Sequence, residues 1–194
     1  MLALLSIEVF TVVSPYLYDV FVFGAYTYRS SDYSGLTGNI NIAAFSILMK
    51  LPFAYYKAMN SKKIAVIISY CTLIIFGIFA ISSILATRGA ILGTLIISLL
   101  LLLHISVLFF RKEIRSIVLL KRIFLITLPL IISVVLNNFQ TQFSSQNELT
   151  NLSNRLETVV DFENKSNNQR LRYWKQSFIT GISNPFLGIG IGNW

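Results

Sequence analysis

Two arginines occupy positions at which a guanidinium could bind phosphate. Arg88 stands in the short stretch ATRGA between two segments without formal charge, and Arg170 opens the basic stretch RLRYWK. A charged side chain between apolar spans must lie at the membrane interface or in a water-filled cavity. Each guanidinium can donate two parallel hydrogen bonds to phosphate oxygens, so arginines gathered at one membrane surface suit a diphosphate. Position alone leaves open that Arg88 is an ordinary loop arginine.

Glycines at every second position mark the last segment, NPFLGIGIGNW: Gly188, Gly190 and Gly192. A dinucleotide fingerprint would need G-x-G-x-x-G between a strand and a helix, with an acidic residue about 20 positions later. Here the spacing differs and an amphipathic stretch precedes it, so nucleotide binding is not indicated. The pattern favours a turn entering another membrane helix, with backbone N–H groups free for an anion. A plain flexible hairpin fits the local sequence equally well.

Lys50 lies near the middle of an apolar span, where an ionisable residue is functional by default. Pro52 follows closely and could shorten that helix, so we predict that the lysine extends to the interface instead. Glu8 and Asp19 are candidate partners of Lys50 or interface residues, and the sequence does not decide between these roles.

His104 has no acidic neighbour in its span, which favours a hydrogen bond in helix packing over acid–base catalysis. The single cysteine, Cys71, lies in a different apolar span. One cysteine and one histidine on separate spans make no recognisable metal site, so no metal or other cofactor is expected.

The elements that carry these residues follow from composition. Of 194 residues, 55% are hydrophobic and 12% are charged, whereas about a quarter are charged in a soluble domain. Because about 20 apolar residues cross the hydrocarbon core, we predict an all-α polytopic transmembrane bundle. The five predicted spans are approximately 2–23, 40–59, 64–86, 89–110 and 116–136.

The net charge of +8 comes mostly from clusters beside these spans, which indicates membrane topology rather than binding to nucleic acid. The positive-inside rule places segments 57–63 and 111–122 in the cytoplasm. Loop 24–39, the turn at Arg88 and the residues after 136 then face outward. We therefore divide the chain into a five-span region, 1–136, and an extracytoplasmic loop with the start of another span, 137–194.

Within that loop, residues 170–182 show the period of an amphipathic helix. Leu171, Trp174, Phe178 and Ile182 fall within an arc of about 80°, with Arg170 at one margin. This pattern is typical of a helix that lies on a membrane surface or against a bundle.

Three separated pieces resemble one family: GLTGNINIAAF (35–45), TRGA (87–90) and QRLRYWKQSFITGISNPFLGIGIGNW (169–194). They are similar to the O-antigen ligase and O-antigen polymerase family of bacterial inner-membrane proteins. Its shared domain has R-G between spans, then R-x-x-x-W and N-P-x-x-G-x-G-x-G-N. The resemblance extends from about residue 35 to residue 194. The residues that match in the last piece are Arg170, Trp174, Asn184, Pro185, Gly188, Gly190, Gly192 and Asn193.

The resemblance implies a multi-pass protein of the bacterial inner membrane that transfers or polymerises glycans carried on undecaprenyl diphosphate, without metal or nucleotide. The implied partners are this glycan donor, a lipid A core or other glycan acceptor, and membrane lipids. Arg88 and Arg170 would be catalytic, because they would bind the diphosphate and stabilise the charge that develops on it as it leaves. The implied substrate-binding residues are Arg88, Arg170, Trp174, Gly188, Gly190, Gly192 and Asn193.

Members of this family have about a dozen spans and a further catalytic histidine after the glycine motif. His104 does not match that histidine, so we expect the chain to be part of a longer protein. No residue separates ligase from polymerase, since the two differ only in acceptor. Two other classes stay open: a transporter or flippase of lipid-linked sugars, for which no inverted repeat is visible, and a non-catalytic membrane scaffold, in which Arg88 and Arg170 would be replaceable.

Overall fold

The computed structural model describes residues 2–23, 30–141 and 165–184, and every regular element within them is helical. Short 3-10 turns at Ser30–Tyr33 and Gly35–Thr37 precede the second helix, and a π-helical segment, Ala80–Ile84, follows the third. The predicted all-α fold is confirmed. The helices are α1 (Leu2–Phe23), α2 (Ile40–Asn60), α3 (Ile64–Phe79), α4 (Arg88–Phe110), α5 (Ser116–Thr141) and α6 (Lys165–Ser183).

Four helical segments are long and apolar enough to cross a membrane: Leu2–Val22, Ile64–Ile84, Arg88–Phe110 and Ser116–Phe139. They correspond to α1, to α3 with its π segment, to α4 and to α5. Helix α2 occupies the range of the second predicted span but is not among these four. The division into five spans and an outer loop therefore stays a prediction.

Helices α1 to α5 belong to one compact unit and α6 to another, residues 153–194. Within the first unit, α2 contacts each of the other four helices. Its buried residues include Ala44, Ile47, Leu51 and Ala54, which are small or apolar. The polar residues Ser46 and Lys50 of α2 make their hydrogen bonds within the bundle, to Glu8 of α1.

Glycines on α4 allow α2 to approach closely. A Cβ atom at Gly93 would lie 2.5 Å from Cδ2 of Leu48, and one at Gly89 would lie 3.0 Å from Cζ of Phe45. Small residues four positions apart are a recurrent device for close packing of membrane helices. The α2–α4 contact therefore depends on the absence of side chains at these two positions.

The two basic segments lie at the same end of the bundle. Nη2 of Arg122, near the start of α5, donates to Oδ1 of Asn60 at the end of α2, at 3.4 Å. The short connection 61–63 and the connection 111–115 are thereby placed together. Arg88 begins α4 at its other end, about 35 Å away along a 23-residue helix. The assignment of the basic end to the cytoplasm stays a prediction.

Candidate functional site

The turn that leads into Arg88 has unusual backbone geometry. Helix α3 ends in the π-helical segment Ala80–Ile84, and the N–H of Leu85 donates to the carbonyl of Ala80 at 2.8 Å. Ala86 then adopts a left-handed conformation with φ of 49°. A non-glycine residue in this region costs roughly 1–3 kcal/mol, and both π segments and such strained residues concentrate at functional sites. This geometry marks the start of α4 as a candidate site.

Thr87 is the N-cap residue of α4, but its side chain does not cap the helix. Its carbonyl accepts the N–H of Ile91 at 3.0 Å, while its hydroxyl makes no capping bond. The residue is 5% exposed, and Oγ1 is buried without a hydrogen-bond partner in the described part of the chain. A buried hydroxyl left unsatisfied costs about 1–3 kcal/mol. The start of α4 thus holds a buried polar atom whose hydrogen-bonding capacity the described part of the chain does not use.

Arg88, the residue after Thr87, adds a positive charge to the candidate site. It is the first residue of α4 and is half-buried. The first-turn N–H groups of a helix have no acceptor within that helix, and the helix dipole makes this end positive. A guanidinium, a hydroxyl and a helix N-terminus together form a donor set that suits phosphate oxygens. The site is therefore suited chemically to bind an anion.

The segment 35–45 supports this turn from α2. Gly35 and Gly38 have positive φ angles of 59° and 64°, which set the path of the chain into α2. Oδ1 of Asn39 then caps the helix by accepting the N–H groups of Asn41 and Ile42 at 2.9 and 3.3 Å. One turn later Phe45 lies over Gly89, next to Arg88. Two of the three pieces that carry the family resemblance are therefore in contact.

A cavity of about 100 Å³ lies beside the first turns of α4, between the π segment and α5. Its lining is mostly aliphatic, with hydroxyl groups and one amide at intervals. Asn137, near the end of α5, is 2% exposed and lines this cavity. The lining residues are Ile78, Ile81, Ser82, Ile91, Thr94, Leu95, Leu130, Ser133, Val134 and Asn137.

A cluster of three aromatic side chains connects α1 to the end of α3. The ring centroid of Tyr16 lies 5.7 Å from that of Tyr33 and 5.8 Å from that of Phe79, with edge-to-face geometry in both pairs. Oη of Tyr33 donates to Oδ2 of Asp19 at 2.7 Å. Burial, followed by this hydrogen bond to the carboxylate, raises the pKa of Tyr33 far above its ordinary value. The phenol thus stays protonated and braces the end of α3 that leads into the π segment.

The predicted residues of the last piece are placed only in part. Arg170 lies in α6, and Trp174 lies one turn further along the same helix and is 68% exposed. Because α6 belongs to the second unit, joint action of Arg88 and Arg170 stays a prediction. Gly188, Gly190, Gly192 and Asn193 lie outside the described residues, and their predicted roles also stay predictions.

The prediction that Lys50 extends to the interface is wrong. Its Nζ lies 2.8 Å from both carboxylate oxygens of Glu8 and also donates to Oγ of Ser46 at 2.6 Å. Helix α2 continues past Pro52 to Asn60, which keeps Lys50 inside the bundle. Of the two candidate partners, Glu8 is the one that pairs with it, and Asp19 accepts the bond from Tyr33 instead.

His104 also differs from its prediction, because it is exposed on α4 rather than packed between helices. Thr87 is the functional candidate that sequence reasoning did not single out. The stretch TRGA contains it, but only the fold shows that its hydroxyl is buried and that no residue of the described ranges bonds to it.

Comparison with known families identifies the family to which the chain belongs. A family model described as O-antigen ligase matches residues 70–194, which are 125 of the 194 residues. The chain belongs to the O-antigen ligase family. Neither the curated proteins nor the solved structures gave a match.

The region that matches the O-antigen ligase family begins within α3 and includes the π segment, Arg88 and α4 to α6. Segment 35–45 precedes this region and is connected to it by the contact of Phe45 with Gly89. Membership in this family, with four membrane-length helices, makes the chain a multi-pass membrane protein of a group that handles lipid-linked glycans.

Proposed function

We propose that the chain is part of a glycan ligase or polymerase of the bacterial inner membrane. It would transfer an oligosaccharide from undecaprenyl diphosphate to an acceptor at the outer face, the acceptor being lipid A core or another glycan. The observation that carries the proposal is the hydroxyl of Thr87, next to Arg88 at the start of α4, which is buried and has no hydrogen-bond partner among the described residues. Membership in the O-antigen ligase family supports it.

The chemistry needs a site that accepts negative charge. In the transfer, the bond between the anomeric carbon and the diphosphate oxygen breaks, and its electron pair leaves with the diphosphate. The acceptor hydroxyl oxygen forms a new bond to that carbon, and its proton passes to solvent or to the departing diphosphate. Donors fixed in advance around the leaving oxygen stabilise this transition state most strongly. Arg88, the Thr87 hydroxyl and the N–H groups of the first turn would supply such donors.

Arg170 is the second proposed cation. It would bind the same diphosphate from the loop side, with Trp174 and the glycine motif contributing to the donor's binding. These roles rest on the resemblance to the family motif R-x-x-x-W, in which both residues match.

The proposal is tested by titrating the detergent-purified chain with a fluorescent polyprenyl diphosphate and with the monophosphate. The diphosphate should bind more tightly. Arg88→Ala should weaken binding by about tenfold or more, since a hydrogen bond that involves a charged group contributes about 1.5–3 kcal/mol. Thr87→Val should weaken it by about threefold to tenfold, as expected for the loss of one hydrogen bond donated by an uncharged hydroxyl.

Two controls separate binding from folding. Arg111→Ala removes an exposed arginine from the other end of α4 and should leave the affinity unchanged. Thr87→Val should not lower the thermal stability, because the hydroxyl that it removes has no partner in the described structure. Equal binding of the two lipids, with no effect of Arg88→Ala, would favour the scaffold or the transporter over a diphosphate-using enzyme.

A further inference from the structure

Helix α6 carries an exposed apolar stripe that runs its whole second half. Leu171, Trp174, Phe178 and Ile182 follow one another at intervals of three, four and four residues, and all four are exposed. Phe178 is 71% exposed. A soluble surface rarely presents a continuous stripe of large apolar side chains, so such a stripe marks a contact with a partner or a membrane.

The charges of α6 limit the nature of that contact. The helix contains four basic residues, Lys165, Arg170, Arg172 and Lys175, and no acidic residue. At 100° per residue, Lys175 lies about 20° beyond Ile182 and Arg172 about 80° beyond it, both on one flank of the stripe. An apolar stripe with a cationic flank matches the boundary between acyl chains and anionic headgroups, where Lys and Arg meet phosphate.

The chain also keeps α6 close to a membrane. The membrane-length helix α5 ends at Thr141, and α6 begins at Lys165, so 23 residues connect them. A connection of this length reaches at most about 80 Å when fully extended. A lipid surface is therefore always present at high local concentration, which favours it over a partner that must diffuse to the helix.

We propose that α6 lies in the interface of a membrane that contains anionic lipids. Leu171, Trp174, Phe178 and Ile182 enter the acyl boundary, while Arg172 and Lys175 bind headgroup phosphates. Trp174 sits at headgroup depth, where the amphipathic indole ring is most favourable. Tyr173 lies about 140° from the centre of the stripe and faces water. This proposal is independent of glycan transfer, since it concerns the lipid surface and not the donor.

The test uses the full chain in nanodiscs, with Trp194→Phe so that Trp174 is the only tryptophan. Two lipid compositions are compared: phosphatidylcholine alone, and phosphatidylcholine with 30% phosphatidylglycerol. Quenching by a shallow spin-labelled lipid and by aqueous acrylamide is measured in each. In anionic discs, Trp174 should be quenched by the lipid and protected from acrylamide. In neutral discs, or at high salt, quenching by the lipid should fall at least twofold and quenching by acrylamide should rise at least twofold.

Matched variants test separately the apolar stripe and the cationic flank of α6. Phe178→Ser should reduce lipid quenching of Trp174 at least twofold, whereas Tyr173→Ser, which removes an equally exposed aromatic from the other side, should not. Arg172→Gln with Lys175→Gln should remove the dependence on phosphatidylglycerol. Lys62→Gln with Lys63→Gln, which removes the same charge from the connection between α2 and α3, should retain it.

Two results would overturn the proposal. Equal access of acrylamide in both compositions would show that the stripe does not enter the lipid. Protection of Trp174 that is insensitive to lipid charge, to salt and to Arg172 and Lys175 would show that the stripe packs against protein instead.

Discussion

At the scale of single residues, the pair of Glu8 and Lys50 is the most consequential polar contact inside the bundle. The two side chains are 20% and 11% exposed, and Nζ of Lys50 lies 2.8 Å from the carboxylate. Ser46 donates its hydroxyl to Oε1 of Glu8 at 2.8 Å, so both charges have further hydrogen-bond partners. The pair joins α1 to α2, the helix that the membrane would accept least readily on its own.

Removing one member of this pair should destabilise the bundle far more than removing both. Lys50→Met or Glu8→Leu leaves a charge without its partner, which typically costs about 3–5 kcal/mol in a buried site. The double variant Glu8→Leu with Lys50→Met should unfold close to the wild-type midpoint. The measurement is a double-mutant cycle by reversible unfolding in mixed micelles. Additive losses would mean that the two side chains act independently.

At the scale of helices, the close contact between α2 and α4 sets the distance between these two helices. A Cβ at Gly93 would meet Leu48 at 2.5 Å, a distance that real Cβ contacts do not show. The two helices would have to separate or Leu48 would have to change rotamer. Because α4 begins with Arg88 and carries Gly89 under Phe45, a shift of α4 would also move the candidate anion site.

Gly93→Ala should therefore lower the free energy of unfolding by about 1–3 kcal/mol, the usual cost of overpacking a tight contact. The double variant Gly93→Ala with Leu48→Ala should regain part of the free energy of unfolding that Gly93→Ala loses to the clash. Gly181→Ala is the matched control, because nothing lies within 4 Å of a Cβ at that helical position in α6. Thermal unfolding in detergent measures all three, and a neutral Gly93→Ala would show that α2 and α4 are more loosely packed than the structure has them.

At the scale of the whole molecule, the two ends of the bundle differ in charge and in chemistry. The basic connections meet at one end through Arg122 and Asn60, and the α3–α4 turn with Arg88 lies at the other end of α4. The positive-inside rule predicts that the first end is cytoplasmic and the second faces outward. That orientation would present the candidate anion site to a donor at the outer leaflet.

Single cysteines test this orientation. Ser61, in the α2–α3 connection, and Thr37, in the turn before α2, are replaced in turn by cysteine in a Cys71→Ser background. An impermeant thiol reagent applied from outside should label Thr37→Cys and reach Ser61→Cys only after permeabilisation. The opposite pattern would invert the map, and labelling of both without permeabilisation would refute it.

Local patterns along the chain are sufficient to predict the helices and their membrane setting. A run of apolar residues from 64 to 84 without charge forms a membrane-length helix, because backbone groups in lipid must bond within their own segment. Such a rule is local, and so is the signal in TRGA, which joins two spans and marks the start of α4. The third matching piece could be assigned to a family but not placed against the first two.

The contacts between side chains of different helices depend on how those helices pack. Lys50 and Glu8 are 42 residues apart, and no period along either helix shows that they face each other. The hydroxyl of Thr87 follows the π segment and the left-handed Ala86, and only the packed fold shows that it is buried without capping α4 and without a partner in the described ranges. Spacing along the chain fixes the face on which a residue lies, whereas its partner depends on how neighbouring helices are rotated and spaced. Contacts such as Gly93 with Leu48 set that rotation and spacing, and they exist only in the packed bundle.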